Sequence, residues 1–248
     1  MLFASDLDNT LIYSYKAAKA GDICVERKDG KELSFMSPEA HALLKDVAER
    51  CAFVPVTTRS LSQYRRLDLG VKLRYAIVAN GALLLVDGVV DEQWTAQTRK
   101  LLDATLPEIE ADNLLFDVRY VDEAFIFCKS EHPRQAMKYL QTIIDGNKFN
   151  VCGVGDKVYI FPRFLDKGTA VKRLMERVPA LGLICAGDSE LDLPMLEIAD
   201  IPIAPQSLGL RRGCTPAAET FTTEALRAAS EILARRHPPG WDQRRDPC

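Results

Sequence analysis

The chain has 248 residues, 47% of them hydrophobic and 27% charged, so it can bury a full core as one large domain or as a domain with a sizeable insertion. Its net charge of -3, with both signs interspersed, leaves no basic face for a phosphate backbone, and nucleic acid is not an expected partner. No apolar run approaches the ~20 residues of a membrane span and the start carries no positive leader, so a cytoplasmic protein is expected, with no membrane partner.

The first element is the apolar run "LFAS", a strand that stops at "DLDNT", where Asp6 and Asp8 stand two residues apart. "DICVERKDGKELSFMS" at 22–37 then reads as a hairpin turning at Asp29-Gly30, placed to overhang whatever the first strand builds. "SPEAHALLKDVAER" is a helix with Ser37 as N-cap and Pro38 at its first position. Two further apolar runs, "AFVPVTT" and "YAIVAN", read as strands buried on both faces.

From about Asp87 the pattern changes. A helix from Trp94 to Leu106 precedes the strands "LLFDVRYV" and "AFIFCKS", joined at Asp122-Glu123. A second helix from Pro133 to Ile144 precedes "FNVCGV" and "KVYIFPRF", joined at Gly155-Asp156. This order predicts an antiparallel sheet with helices on one face, an α+β lobe inserted into an α/β one. Alternation then resumes with the helix "DKGTAVKRLMERV", the strand "LICAG", the helix "ELDLPMLEIA" and the strand "IPIA", and the chain ends in the charged, proline-rich "RRHPPGWDQRRDPC", expected to fray. The boundaries expected are a core at 1–86 and 166–248 and an inserted lobe at 87–165. The fold class is α/β, a doubly wound, Rossmann-like parallel sheet.

In such a sheet ligands bind beyond the carboxyl ends of the strands. There the first strand delivers Asp6 and Asp8, the second Thr57, Thr58 and Arg59, the third Asn80 and Gly81, and the fourth Asp188, Ser189 and Asp192, while Lys167 opens the helix that returns from the insertion. Converging carboxylates without matching arginines raise one another's pKa unless a cation neutralises them, and a hard divalent ion, most naturally Mg²⁺, does so. Lysine, hydroxyls and backbone N–H groups opposite them suit a phosphoryl group. Metal, carboxylate nucleophile and phosphate-binding groups together point to phosphoryl transfer through an aspartyl-phosphate. An EF-hand reading of "DLDNT" fails, because Leu11 and Ala17 stand where that loop needs Gly and Glu. The seven cysteines are scattered and never form a CxxC pair, so they suggest neither zinc nor a disulfide framework.

"DLDNT", "VTTR", "DKGTAV" and "GDSELD", in this order, resemble the four motifs of the haloacid dehalogenase superfamily. The insertion looks like the type IIB (C2B) cap of its Cof-like, sucrose-phosphate and mannosylglycerate-phosphate phosphatases. The resemblance implies that Asp6 is the nucleophile, and that Asp8 is the general acid and then the base. It implies that Thr57, Thr58 and Lys167 hold the phosphoryl group, and that Asp6, the Asp8 carbonyl and Asp188 hold Mg²⁺. Arg59, Asn80, Ser189 and Asp192 are then supporting residues. Two positions depart from the pattern: Thr58 stands where Gly is common, and Leu191 where Asn is usual.

The expected function is hydrolysis of a small phosphorylated metabolite, with a sugar phosphate as the family's prior. Arg119, Lys129 and Arg163 in the cap are candidates for reading the substrate's anionic or hydroxyl-bearing part. The alternatives are a phosphomutase of the same fold and a protein that binds a phospho-ligand without turnover. A monomer or homodimer is expected.

Overall fold

A computed structural model describes residues 1–102, 106–213 and 221–236. The end of the helix expected at Trp94 to Leu106, Cys214, Cys248, His237 and most of the proline-rich end fall wholly or largely outside the described residues.

In chain order the elements are β1 (Leu2–Ser5), β2 (Tyr13–Ser14), β3 (Ile23–Lys28), β4 (Lys31–Met36), α1 (Pro38–Arg50), β5 (Ala52–Pro55), α2 (Leu61–Tyr64), β6 (Tyr75–Val78), β7 (Leu83–Val86), β8 (Val89–Val90) and α3 (Glu92–Leu101). The inserted segment gives β9 (Phe116–Val121), β10 (Phe125–Lys129), α4 (Pro133–Ile143), β11 (Phe149–Val154) and β12 (Lys157–Pro162). The chain closes with α5 (Lys167–Met175), β13 (Leu183–Ala186), α6 (Leu193–Ile198), β14 (Ile201–Ile203) and α7 (Phe221–Arg236).

The parallel sheet runs β14-β13-β1-β5 and sends alternate side chains to opposite layers. Leu2, Ala4, Val54, Leu183 and Cys185 pack with Ala170, Val171 and Leu174 of α5 and with Met195 and Leu196 of α6. Phe3, Phe53, Ile184 and Ile203 pack instead with Ala40, Leu44 and Val47 of α1 and with Ala225, Leu226 and Ala229 of α7. Both faces are covered by helices, as a doubly wound sheet requires. A parallel bridge between Val56 and Ile77 extends the sheet from β5 to β6, and β6-β7-β8 continues it as an antiparallel meander.

The inserted strands form a separate antiparallel sheet, β11-β12-β10-β9. One of its faces buries Ile126, Cys128, Val158 and Ile160 under Ala136 and Leu140 of α4. The other face is aromatic at one end, where Phe125, Tyr159 and Phe161 pack on Ala79, Ala82, Leu83 and Leu85 of the β6–β7 region. That cluster joins cap to core. Leu191 packs against it, so an apolar residue in the fourth motif has a partner there.

The expectation of two helices on one cap face is corrected by α3. Its Trp94 is fully buried among core residues, donates Nε1–H to the Gly81 carbonyl at 3.0 Å, and has the Arg173 guanidinium 3.8 Å from its ring centroid. Core residues, not the cap sheet, thus cover the apolar face of α3, and none of its residues is in the cluster under the cap sheet. The early hairpin forms as β3–β4, with Asp29 and Gly30 both at positive φ (51° and 75°), the backbone that a tight two-residue turn demands.

Candidate active site

Strand ends β1 and β13 are neighbours in the sheet, with Ser5 in register with Ala186, so the residues just beyond them converge. Lys167, the first residue of α5, is 2% exposed and reaches both: its Nζ donates to Asp6 Oδ1 at 2.6 Å and to Asp192 Oδ1 at 2.5 Å. Asp192 Oδ2 accepts from the Asp188 and Ser189 backbone N–H groups (3.1 and 2.9 Å) and from the Ser189 hydroxyl (2.8 Å). Both oxygens of Asp192 are thus committed to holding Lys167 and the Asp188 loop in place.

Two glycines permit this closeness. A Cβ on Gly187 would lie 2.3 Å from Asp192 Cβ, and one on Gly168 would lie 2.3 Å from the Pro194 carbonyl oxygen. Larger residues at these two positions would push the aspartate loop and α5 apart.

Burial pushes the Asp6 carboxyl well above the usual range; the Lys167 ammonium opposes this, and the Asp192 and Asp8 carboxylates add to it. Asp188 is pushed up to about 6, by burial first and by Asp192 second, although the Thr10 hydroxyl donates to its Oδ1 at 2.9 Å. Burial opposes the charge on Lys167, but Asp192 and Asp6 outweigh it and hold the ammonium protonated. Carboxylate oxygens of Asp6, Asp188 and Asp192 lie within 4.8 Å of one another. Two carboxyls made costly to ionise at so short a range are what a divalent cation relieves, and the donor set, oxygen only, suits Mg²⁺. With Asp192 occupied, the free donors are Asp6, Asp188 and the Asp8 carbonyl, to which none of the described residues donates.

Asp8 sits in the opposite electrostatic setting. Arg59 clamps it bidentately, Nε to Oδ2 at 2.8 Å and Nη2 to Oδ1 at 2.7 Å. Burial pushes this carboxyl up, but the hydrogen bonds and charge of Arg59 outweigh it and hold it below the usual carboxylate range. Arg59 also donates from Nη1 to Glu26 Oε2 at 2.8 Å, and Glu26, brought by β3 and only 3% exposed, takes further bonds from Arg66 and from the Ser34 hydroxyl. The hairpin is therefore tied to Asp8 and to the loop after β5 through an ion cluster.

Thr57 is fully buried; its hydroxyl accepts from the Arg59 backbone N–H at 3.1 Å. Thr58 lines a cleft of about 680 Å³ that also holds Asp8 and Arg59 and reaches the hairpin and the cap. Asn80, at φ 56°, donates Nδ2–H to the Leu165 carbonyl at 3.0 Å and so ties the end of β6 to the segment returning from the cap. Of the cap candidates, Arg119 and Lys129 line the cleft. Arg163 does not: its Nε donates to the Gly146 carbonyl at 2.6 Å, within the cap's own turn.

The sequence alone does not mark Glu26, Arg66 or Lys157, nor the bond of the Thr10 hydroxyl to Asp188. Alternation along β3 does not mark Glu26, because the register is irregular on both sides of it and Val25 and Glu26 are both buried.

No protein-family model matches the chain. It is 25% identical to a phosphoglycolate phosphatase of Methanothrix thermoacetophila, over 68% of this chain and 75% of that protein. It is 27% identical to phosphoglycolate phosphatase 2 of Saccharolobus solfataricus, over 82% and 78%. Among solved structures, the Synechocystis sucrose-phosphatase, in complex with sucrose and phosphate, superposes with a TM-score of 0.62 at 18% identity, covering 92% of this chain and 97% of that one. A haloacid dehalogenase-like hydrolase from B. subtilis gives 0.59 at 16% identity, covering 91% and 98%. These structures share the fold.

Proposed function

We propose that the chain is a phosphatase of the haloacid dehalogenase superfamily, of the Cof-like type, and that it hydrolyses a small phosphorylated metabolite through an aspartyl-phosphate on Asp6. The observation that carries this reading is the buried Asp6–Lys167–Asp192 array beside Asp188 and Thr10, in which the aspartates follow the adjacent parallel strands β1 and β13 and Lys167 opens α5. The relatives' names make phosphoglycolate one substrate to try, alongside the sugar phosphates.

Asp6, Asp188 and the Asp8 carbonyl would hold Mg²⁺, which supplies charge neutralisation for the phosphoryl oxygens and for the carboxylates themselves. Lys167, already protonated, balances Asp6 and binds a phosphoryl oxygen, and the Thr57 hydroxyl and the Thr58 N–H and hydroxyl bind others. An Asp6 oxygen attacks phosphorus as the ester P–O bond breaks, and Asp8 delivers a proton to the leaving alkoxide. Asp8 then takes a proton from water, whose oxygen attacks phosphorus and frees Asp6 and inorganic phosphate.

Arg59 keeps Asp8 ionised, ready for the second half of this cycle. For the first half the ester's phosphate draws the guanidinium away, and the released carboxyl takes up its proton. The cap excludes bulk water during the first transfer, as lids commonly do.

The test is a panel of phosphate esters with and without Mg²⁺, on wild type and Asp6→Asn. Turnover that needs Mg²⁺ and falls by at least about 10³-fold in the variant is expected. Failure on the whole panel, or activity that survives in Asp6→Asn, contradicts the proposal.

A further inference from the structure

The cleft face of the cap sheet is graded along its strands. At its core end lie Phe125 and Phe161, with ring centroids 4.7 Å apart, and then Tyr159 opposite Phe127, with centroids 5.5 Å apart. One step further, Lys129 of β10 is directly opposite Lys157 of β12, and Arg119 of β9 is opposite Phe127 in the adjacent row. All three cations line the same cleft as Asp8.

Like charges directly opposite across an antiparallel pair are destabilising, at side-chain separations of roughly 5 Å. Here local acids do not cancel them. Arg119 is matched by Asp117 at 2.7 Å, but Lys129 meets only the exposed Asp156 at 3.6 Å, and Lys157 has no ion-pair partner among the described residues. Lys157 is also close enough for its charge to act on Asp8. On the hairpin side of the cleft stands Lys28, likewise without an ion-pair partner among the described residues.

We propose that Lys129 and Lys157 form an anion subsite on the cap, selecting phosphomonoesters whose far end carries a carboxylate or a second phosphate. The inference rests on the phosphatase reading above and narrows its substrate class. The reacting phosphate lies at Asp6 and Lys167, the middle of the substrate passes Tyr159 and Phe127, and the anionic end takes charge-assisted hydrogen bonds from the two ammonium groups. The like-charged pair, unfavourable in the empty cleft, becomes favourable once that end is bound. A neutral sugar hydroxyl in the same place leaves the two charges uncompensated.

Three esters on one three-carbon frame test this: glycerol phosphate with a neutral end, phosphoglycerate with a carboxylate, and glycerol bisphosphate with a second phosphate. Calorimetric binding in the Asp6→Asn background, with Mg²⁺, is independent of turnover. The expected result is tighter binding of one or both anionic-ended esters than of glycerol phosphate. That affinity ratio should fall about tenfold in Lys157→Met and in Lys129→Met, as expected for one lost charged hydrogen bond. Both lysines are outside the core, so neither change opens a cavity in it, and thermal unfolding of each variant alongside the binding measurement checks its fold.

Which anionic ester shows the preference identifies its source as carboxylate or phosphate. No preference in the parent protein, no binding at all, or a ratio unchanged in both lysine variants overturns the subsite. Parallel turnover assays on the wild type separate the two readings: hydrolysis without any lysine-dependent preference leaves the phosphatase standing, and preference without hydrolysis of any ester leaves the subsite standing alone.

Discussion

Asp6 and Asp8 are two residues apart on one strand end, and their surroundings drive them in opposite directions. Asp6 faces the buried lysine and the other carboxyls, whereas Asp8 is locked ionised by Arg59. If Asp8 serves to protonate the leaving group, Asp8→Asn should lower kcat/KM, which reports phosphoryl transfer to Asp6 alone, by about 10²- to 10⁴-fold for an alkyl phosphate but much less for p-nitrophenyl phosphate, because nitrophenolate leaves without a proton. Equal losses of kcat/KM on both esters would remove the acid role. Glu26 gives a second prediction at this scale. Burial raises its pKa, but Ser34, Arg59 and Arg66 outweigh that and lower it below the unfolded value. A depressed folded pKa contributes stability above the unfolded pKa, about 4.3, that is lost as pH falls through the folded value. Thermal unfolding from pH 7 downward should show Glu26→Gln less stable on the order of 2 kcal/mol at neutral pH, with the gap closing below about pH 4. A gap independent of pH would contradict the role of its charge. Asp6, Asp8, Asp188 and Asp192 were legible in the sequence because each sits in a short motif beyond the end of a readable strand, and Lys167 because it opens a readable helix. Glu26 and Lys157 were not, because a side chain on a hairpin or a cap strand gains its partner only when that unit folds over the core.

Among the elements, the helices show most clearly what a sequence pattern leaves open. The spacing in α3 marks an apolar face but not what covers it, and Trp94 settles that by inserting beside Gly81 and under Arg173 of the core. The strands were easier: "LFAS" and "LICAG" are apolar on both faces and so had to be central, and the positive φ of Asp29, Asp122 and Glu123 suits the turns expected at those positions. One contact between elements makes a prediction. The β9–β10 turn of the cap reaches the core, where Asp122 Oδ2 accepts the Leu61 N–H at the start of α2 at 2.8 Å. Asp122→Ala removes this latch, at a stability cost of about 1 kcal/mol as for other helix-capping groups. Amide exchange at Leu61 should quicken and KM should rise several-fold, with kcat changing less. A variant with unaltered exchange at Leu61 would show that the latch does not hold the cap.

For the molecule as a whole, the parallel sheet supplies the floor, the hairpin is bound to it through Glu26 and Arg59, and the inserted sheet borders the cleft with an aromatic side against the core and a cationic far side. The order of the four motifs made this arrangement readable in outline, since three lie at the carboxyl ends of their strands, the third opens α5, and the insertion falls between the second and third. What the order could not convey is which cap side chains face the cleft, because that depends on strand register, and a shift of one residue exchanges the two faces. The central claim remains chemical, that the phosphoryl group passes through Asp6. Acid quenching during turnover of p-nitrophenyl phosphate with Mg²⁺, followed by mass spectrometry of covalent phosphate, tests it. One phosphoryl group is expected on the peptide carrying Asp6 in the wild type, more in Asp8→Asn, where the leaving group needs no acid but water lacks its base, and none in Asp6→Asn. Sustained turnover with no phosphoryl group on Asp6, in wild type and Asp8→Asn alike, would contradict it.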